Sequence, residues 1–490
     1  MPVVVEDEHS SGGHSHMALN EGIIIILIML IIYMGFEAFK HKRGISFGHE
    51  ASLVTLIGFG ISYAFVLSSQ HDFNELMKFS DDLFFYFCLP PIVFASGFNM
   101  QRKKFFANIK NIVLFGLVGT IIAFVSFSGL TVLYRDFTSR PLTQTNGETG
   151  EVTPLDLSTL EIILMCSLLC STDVIAAVSL IKPDKQPKLF SLVFGEGITN
   201  DAVSIILFNT VVTYSRKSDK FNSASAVEIS MSFATLGFQS IMCGLVTAIF
   251  SAYMFKKVRA LTKTPVVECT MMFSIAYVSY VLAELWHISG IISLLTCSVV
   301  MANYTWYNMS PQGKQSSVVV FKFLGFLAES FVFSYLGLTF FSYKTFQWSY
   351  DLIIVEFIVI LIGRGLGTFG LFGMLKLCGY EKDNPKKITW KELTFIWYAG
   401  LIRGAIAFGL VLRIEDNVVN RSVIVTTCLS LVVFTTVFFG STVGLLGKCM
   451  FGGHSEAETE REIKRQNLQR ADSIGDDTMS NTTSSAESVH

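Results

Sequence analysis

The chain has little charge for its length. Only 16% of its 490 residues are Asp, Glu, Lys or Arg, against about 25% in a soluble domain. A molecule that faces water on every side is thereby excluded. Proline is scarce too, at ten residues, so long helices meet few obligatory breaks. The nine cysteines are scattered; Cys88, Cys166, Cys170, Cys243, Cys297 and Cys428 fall within apolar stretches. They show neither a disulfide framework nor metal-ligand spacing and read as reduced packing residues, although Cys166 and Cys170, one helical turn apart, could share a metal. A net charge of −2 supplies no basic surface for nucleic acid. There is no glycine-rich phosphate loop, hence no sign of ATP as an energy source, and no soluble domain of any size to house an enzyme. Nothing calls for a resident cofactor.

What is present is apolar length. Hydrophobic residues make up 51% of the chain, 44 of them Phe, and the mean hydropathy is +0.52. Runs of ~20 apolar residues read as membrane spans. The expected fold class is therefore an all-α polytopic membrane protein. About thirteen spans fit, near 22–39, 50–69, 82–99, 107–134, 158–181, 188–213, 226–255, 265–286, 288–304, 318–342, 350–377, 392–413 and 421–447. The first run lacks a basic lead and a cleavage site, so it reads as a retained helix. This divides the chain into a polar external or lumenal tail (1–20), a membrane domain (21–447) and a short Ser/Glu/Asp-rich cytosolic tail (448–490), both tails expected to be disordered. His9, His14 and His16 belong to the first tail, with weak metal binding as the alternative. Arg470–Ser473 resembles a short kinase site of a kind that arises often by chance.

Loops alternate between basic-rich and basic-poor. One set holds Lys40, Lys42 and Arg43, then Arg102–Lys104, Lys182, Lys185 and Lys188, Lys256–Lys263, Lys314, and Lys382–Lys391. The positive-inside bias puts that face and the C-terminus in the cytosol, and the N-terminus outside or in a lumen. Arg216, Lys217 and Lys220 form a local exception.

Polar residues inside spans carry the chemistry. Asp201, in FGEGITNDAVSIILF, and Asp173, in LLCSTDVIAAVSL, are acids on consecutive spans. Intramembrane charge is costly and marks ion or proton paths. Ser171, Thr172 and Asp173 interrupt an apolar helix, and a broken helix frees carbonyls that can hold a cation; a plain helix-end cap is the alternative. Glu196 and Asn200 share a helix face. Arg364 and Arg403 cannot usefully deprotonate and need anionic or carbonyl partners; Glu196 suits Arg364. Glu329 either lines the path or holds the fold. Glu268 reads as a helix-end acid, and Glu284 and His287 as hydrated. Pro90 and Pro91 should break the third span, as a kink or a cavity wall.

These motifs resemble a known family. FYFCLPPIVFASGF, STDVIAAVSL, FGEGITNDAVSIILF, FLAESFVFSYLG, LIGRGLG and LIRGAIAFGL occur in the order seen in eukaryotic sodium/proton exchangers, cation/proton antiporters of the electroneutral type. FNMQRKKFFANIKNIVLFGLVGTII and ANYTWYNMS are most similar to the endosomal and vacuolar branch, which favours an endomembrane over the plasma membrane or another organelle. The resemblance implies thirteen helices in inverted repeats, with spans five and twelve unwound and crossing. It implies a homodimer with a dimerisation subdomain and a mobile core. It implies Asp201, Asn200, Asp173 and Thr172 as the cation and proton site, Asp201 and Asp173 being the ligands of Na⁺ or K⁺. Glu196 would pair with Arg364, and Arg403 would sit at the second unwound region. Val174 and Thr199 depart from the family, which usually has Pro or Ser at the first and an apolar residue at the second.

The expected activity is exchange of a monovalent cation for H⁺, one for one, by alternating access around Asp201. A non-transporting sensor or assembly subunit retaining the fold is the alternative, which the intact Asn200–Asp201 pair disfavours. A channel would need a continuous pore.

Overall fold

A computed structural model describes residues 8–43, 48–67, 81–100, 102–138, 142–147, 149–178, 181, 187–217, 223–341, 347–377 and 388–451. In chain order the spans are α1 (Glu8–Arg43), α2 (Glu50–Leu67), α3 (Asp81–Phe98), α4 (Ile109–Phe137), α5 in two pieces, α5a (Thr159–Leu169) and α5b (Ile175–Val178), then α6 (Pro187–Ser215), α7 (Ser223–Lys257), α8 (Pro265–Leu285) and α9 (Gly290–Asn303). After them come α10 (Pro311–Thr339), α11 (Tyr350–Leu377), α12 in two pieces, α12a (Trp390–Ala399) and α12b (Ala405–Leu412), and α13 (Arg421–Phe451). Among the described residues, ten helices are long and apolar enough to cross a membrane. The short apolar α9 and the interrupted α5 and α12 account for the rest of the expected set.

The helices pack in two groups. α1, α2, α3, α7, α8, α9 and α10 contact mainly one another, as do α4, α5, α6, α11, α12 and α13. The seam between the groups runs along α6 with α7, α2 with α13, and α10 with α12b. α13 is the most enclosed of the long spans, with 78% of its apolar window buried. It backs the second interrupted helix.

An internal repeat is visible in local geometry. α4 contains a π-helical turn at Leu114–Val118 and is followed by an interrupted helix; α11 contains one at Leu366–Gly370 and is also followed by an interrupted helix. Both interrupted helices start with a capping box: Ser158 with Glu161, and Thr389 with Glu392. Each box satisfies two of the amide groups that a helix start leaves free. The second unit begins seven spans after the first, an odd offset, so the two run through the membrane in opposite directions.

Several expectations change. Pro90 and Pro91 do not break α3. The helix continues through a π-helical turn at Phe84–Cys88, and both prolines lie in the first turn of the α-helical stretch that follows, where their missing donors cost little. The fold is not wholly helical either. Between α4 and α5a lie antiparallel strands β1 (Leu142–Asn146) and β2 (Val152–Leu155), and β1 also pairs with β3 (Gln347–Trp348). The first helix extends back to Glu8, into the stretch expected as a polar tail. Residues 1–7, most of the C-terminal tail (452–490), Lys182, Lys185 and Lys382–Lys387 lie outside the described residues, as does Lys220.

α2 and α10 meet at glycine. A Cβ on Gly337 would strike the Thr55 carbonyl and come within 2.9 Å of Gly58 Cα. We expect Gly337→Leu to destabilise the chain by about 1–3 kcal/mol, read as a lower thermal midpoint of the detergent-purified protein; an unchanged midpoint would contradict this packing.

Candidate cation site between two interrupted helices

Asp201 is the midpoint of the 29-residue α6, roughly 20 Å of helix from either end. Beside it α5 stops at Cys170 and restarts at Ile175. The break frees carbonyls and amides that a membrane interior cannot satisfy with water. The second break, at Gly400–Gly404, answers them. Arg403 Nη1 donates to the carbonyls of Ser171 (2.8 Å) and Cys170 (3.3 Å), and the Asp173 amide donates to the Ile402 carbonyl (2.8 Å). α13 completes the joint: Thr436 Oγ1 donates to the Arg403 carbonyl (2.6 Å), and the Arg403 amide donates to Thr435 Oγ1 (3.3 Å). Arg403 is fully buried. Its guanidinium carbon stands 5.8 Å from the Phe127 ring centre.

Glycine makes these approaches possible. A Cβ on Gly404 would overlap the Asp173 carboxyl, and one on Gly400 would overlap the Arg364 guanidinium. Arg364 forms an ion pair with Glu196, and both are at least 96% buried. Asn200, fully buried, bridges the two systems. With its amide nitrogen on the Cys170 carbonyl (2.8 Å), its oxygen accepts from Thr172 Oγ1 (3.1 Å) and Arg364 Nη1 (3.3 Å).

Asp201 has no such permanent cation. Its Oδ1 accepts from Ser171 Oγ at 2.6 Å. Asp201 and Asp173 both line a cavity of about 80 Å³, with Ser171, Thr172 and Glu329, enough for several waters. Its far wall comes from the other helix group: Ile92, Val93 and Ser96 of α3, Ile291 and Leu295 of α9, and Phe333 of α10. The cavity shares Ile92, Ser96, Phe194 and Glu329 with a wider vestibule of about 750 Å³ that reaches Asn99, Met100, Lys322 and Glu37 at the basic-loop face. Towards the opposite face, Phe84, Ile205, Phe208 and Phe408 are buried. Beyond them opens a polar funnel of about 1100 Å³. There Arg216 pairs with Glu415 and holds that carboxyl below the usual carboxylate range; Arg413 lies 3.7 Å from Glu284 and 4.7 Å from the Phe85 ring centre.

The structure thus brings together Asp201, Asn200, Asp173, Thr172, Glu196, Arg364 and Arg403. Glu329 stands apart from them on α10. It is about nine-tenths buried, lines both cavity and vestibule, and makes no hydrogen bond or ion pair among the described residues. Glu268 is a helix-end acid of a buried kind: its carboxylate accepts from the Ser310 amide (3.0 Å) and hydroxyl (2.8 Å) at the start of α10. Glu284 and His287 line the polar funnel. Pro90 and Pro91 do not line this cavity; Ile92, Val93 and Ser96, just after them, do. Among the described residues no three His, Cys, Asp or Glu side chains gather as a metal centre.

Sequence reasoning missed two residues. Ser171 was legible as a helix breaker but not as the donor to Asp201. Glu356 is a fully buried acid on α11, bonded to Thr131 of α4 at 2.7 Å. A lone acid in the apolar run LIIVEFIVILIG was signal enough to find it.

A buried carboxylate facing a water-sized cavity, framed by hydroxyls and two crossing helix breaks, defines a secondary ion carrier. The transmembrane sodium/hydrogen exchanger family matches residues 23–449, and the chain belongs to it. It is 32% identical over 407 residues to sodium/hydrogen exchanger 3 of Arabidopsis thaliana, covering 80% of this chain and 77% of that one. It is 32% identical over 477 residues to human sodium/hydrogen exchanger 8, covering 96% and 77%. Its fold is that of the sodium proton antiporter MjNhaP1 from Methanocaldococcus jannaschii, with a TM-score of 0.61 at 15% identity over 88% of this chain and 98% of that one.

Removing one partner of a buried ion pair leaves the other uncompensated, at a cost of about 3–5 kcal/mol. Glu196→Gln or Arg364→Met alone should therefore lower thermal stability more than the two together. A double variant less stable than either single one would overturn this assignment.

Proposed function

We propose that this chain is a secondary antiporter exchanging Na⁺ or K⁺ for H⁺ at Asp201. One observation carries the reading: a carboxylate midway along a membrane helix opens on a cavity large enough for water and lacks a permanent counter-ion. Such a group cannot cross the barrier bare, because an unpaired buried charge costs several kcal/mol. It moves either protonated or with an alkali cation. Only loaded forms cross, so the two fluxes are coupled without ATP.

Asp173 and the hydroxyls of Thr172 and Ser171 supply further oxygens around the cavity. Two acids with hydroxyls and water suit a hard monovalent cation that must also leave. Asn200 is neutral and adds no second titrating charge, which favours one cation for one proton. The Glu196–Arg364 pair and Arg403 hold the frame and carry nothing. Glu329 belongs to the access path: it faces both cavity and vestibule without a fixed partner.

With the basic-loop face in the cytosol, the vestibule opens inward, and the buried Phe84 and Phe408 close the other side. Exchange then requires the group around α5, α6 and α12 to move against the group around α3, α9 and α10, whose side chains form the cavity's far wall. The exposed apolar faces of α1 and α7 suit lipid or a second copy, and the family resemblance favours a homodimer. The resemblance of FNMQRKKFFANIKNIVLFGLVGTII and ANYTWYNMS to the endosomal and vacuolar branch favours an endomembrane.

In proteoliposomes carrying an imposed pH gradient, the wild type should show cation-dependent proton flux. Asp201→Asn should abolish it while still inserting and folding; wild-type rates would refute the proposal. Asp173→Asn should raise the half-saturating cation concentration at least several-fold, and an unchanged value would remove Asp173 from the site. Protons and cations compete for one carboxylate, so the apparent cation affinity should fall as pH falls.

A further inference from the structure

We infer that Ser171 sets the balance between proton and cation at Asp201, as a donor to the empty carboxylate and a hydroxyl ligand to the bound cation. This rests on the antiport reading and deepens it. Ser171 is 99% buried and lies in the break of α5, where no helix turn claims its side chain. Its hydroxyl donates to Asp201 Oδ1 at 2.6 Å, while its carbonyl accepts from Arg403 Nη1 at 2.8 Å. The clamp from α12 holds the backbone, so the hydroxyl is presented at a fixed place. Nearby serines differ. The Ser167 hydroxyl donates to the Leu164 carbonyl of its own helix (2.7 Å), and the Ser96 hydroxyl to the Ile92 carbonyl (2.9 Å).

The chemistry follows from the three states of the carboxylate. When it is bare, the short charge-assisted bond from Ser171 stabilises it. When it is protonated, that donor loses most of its value, so the bond works against the proton. When a cation sits on it, the hydroxyl turns its lone pairs inward and adds a neutral oxygen beside two carboxylates. The other charged groups around the site are Asp173 in the same break, Arg403 from α12, Glu329 from α10 and the Glu196–Arg364 pair. The cavity walls from α3 and α9 bring none. Ser171 is thus the one uncharged side chain hydrogen-bonded to Asp201 among the described residues.

The test is Na⁺-dependent proton flux of the full chain in proteoliposomes, measured against Na⁺ concentration and pH. Ser171→Ala should raise the half-saturating Na⁺ concentration at fixed pH about 5–10-fold, the scale of a lost charge-assisted bond partly replaced by water. It should also move the pH of half-maximal exchange upward, because the proton then competes better. Ser171→Thr, which keeps a hydroxyl, should restore both towards wild type. Ser167→Ala, whose hydroxyl serves only its own helix, should move neither. Should Ser171→Ala not fold, Ser171→Cys, with its weaker donor, is read on the same two axes with the same expected direction. A Ser171→Ala protein with wild-type half-saturation and pH midpoint overturns the inference while leaving antiport at Asp201 intact. Absence of gradient-driven exchange in the wild type overturns both, and the two failures are distinguished by that control.

Discussion

Two helices stop in the middle of a membrane, and each supplies what the other's break leaves unsatisfied. In hydrocarbon there is no water to take up a loose carbonyl or amide. Arg403 places its guanidinium on the carbonyls freed in α5, and the Asp173 amide reaches the carbonyl of Ile402 in α12. Thr435 and Thr436 of α13 close the remaining gap. A fully buried arginine is tolerable because its charge meets carbonyl dipoles that would otherwise be orphaned. This crossing fixes where Ser171, Thr172 and Asp173 stand, and so it fixes the surroundings of Asp201.

The division of labour among the charges follows. Glu196 is bound to Arg364, and Arg403 is bound to backbone, so neither arginine is tied to Asp201. The frame charges are internally paired, which leaves Asp201, with Asp173 and Glu329 on the same cavity, to face a partner that can come and go. Asn200 joins the two systems by contacting the Cys170 carbonyl, Thr172 and Arg364. Its neutrality keeps the count of exchangeable charges low while its three contacts hold α6 against the α5 break and α11.

Much of this was legible in the sequence because intramembrane polarity is rare. Asp201, Asp173, Glu196, Arg364 and Arg403 each stand out against apolar neighbours, and thirteen spans with two interrupted helices follow from hydropathy and family motifs. Other features were not legible, for physical reasons. Pro90 and Pro91 read as a break, yet a π-helical turn absorbs the strain and leaves α3 continuous. The β1–β2–β3 sheet is built from segments some 200 residues apart in the chain, a pairing no local window can see. Ser171's role depends on a contact across the break. The two departures from the family pattern prove local: Val174 packs where a Cβ on Gly197 would lie, and Thr199 faces Gly116 of α4 and bonds to its own helix at Gly195 (2.8 Å).

The central claim is that cation and proton occupy the same carboxylate in turn. It is tested most directly by adding Na⁺ to the purified chain in weakly buffered detergent solution and counting the protons released. The account expects about one proton per chain, saturating with the cation and absent from Asp201→Asn. Cation binding that releases no proton, or release that persists without Asp201, would contradict it.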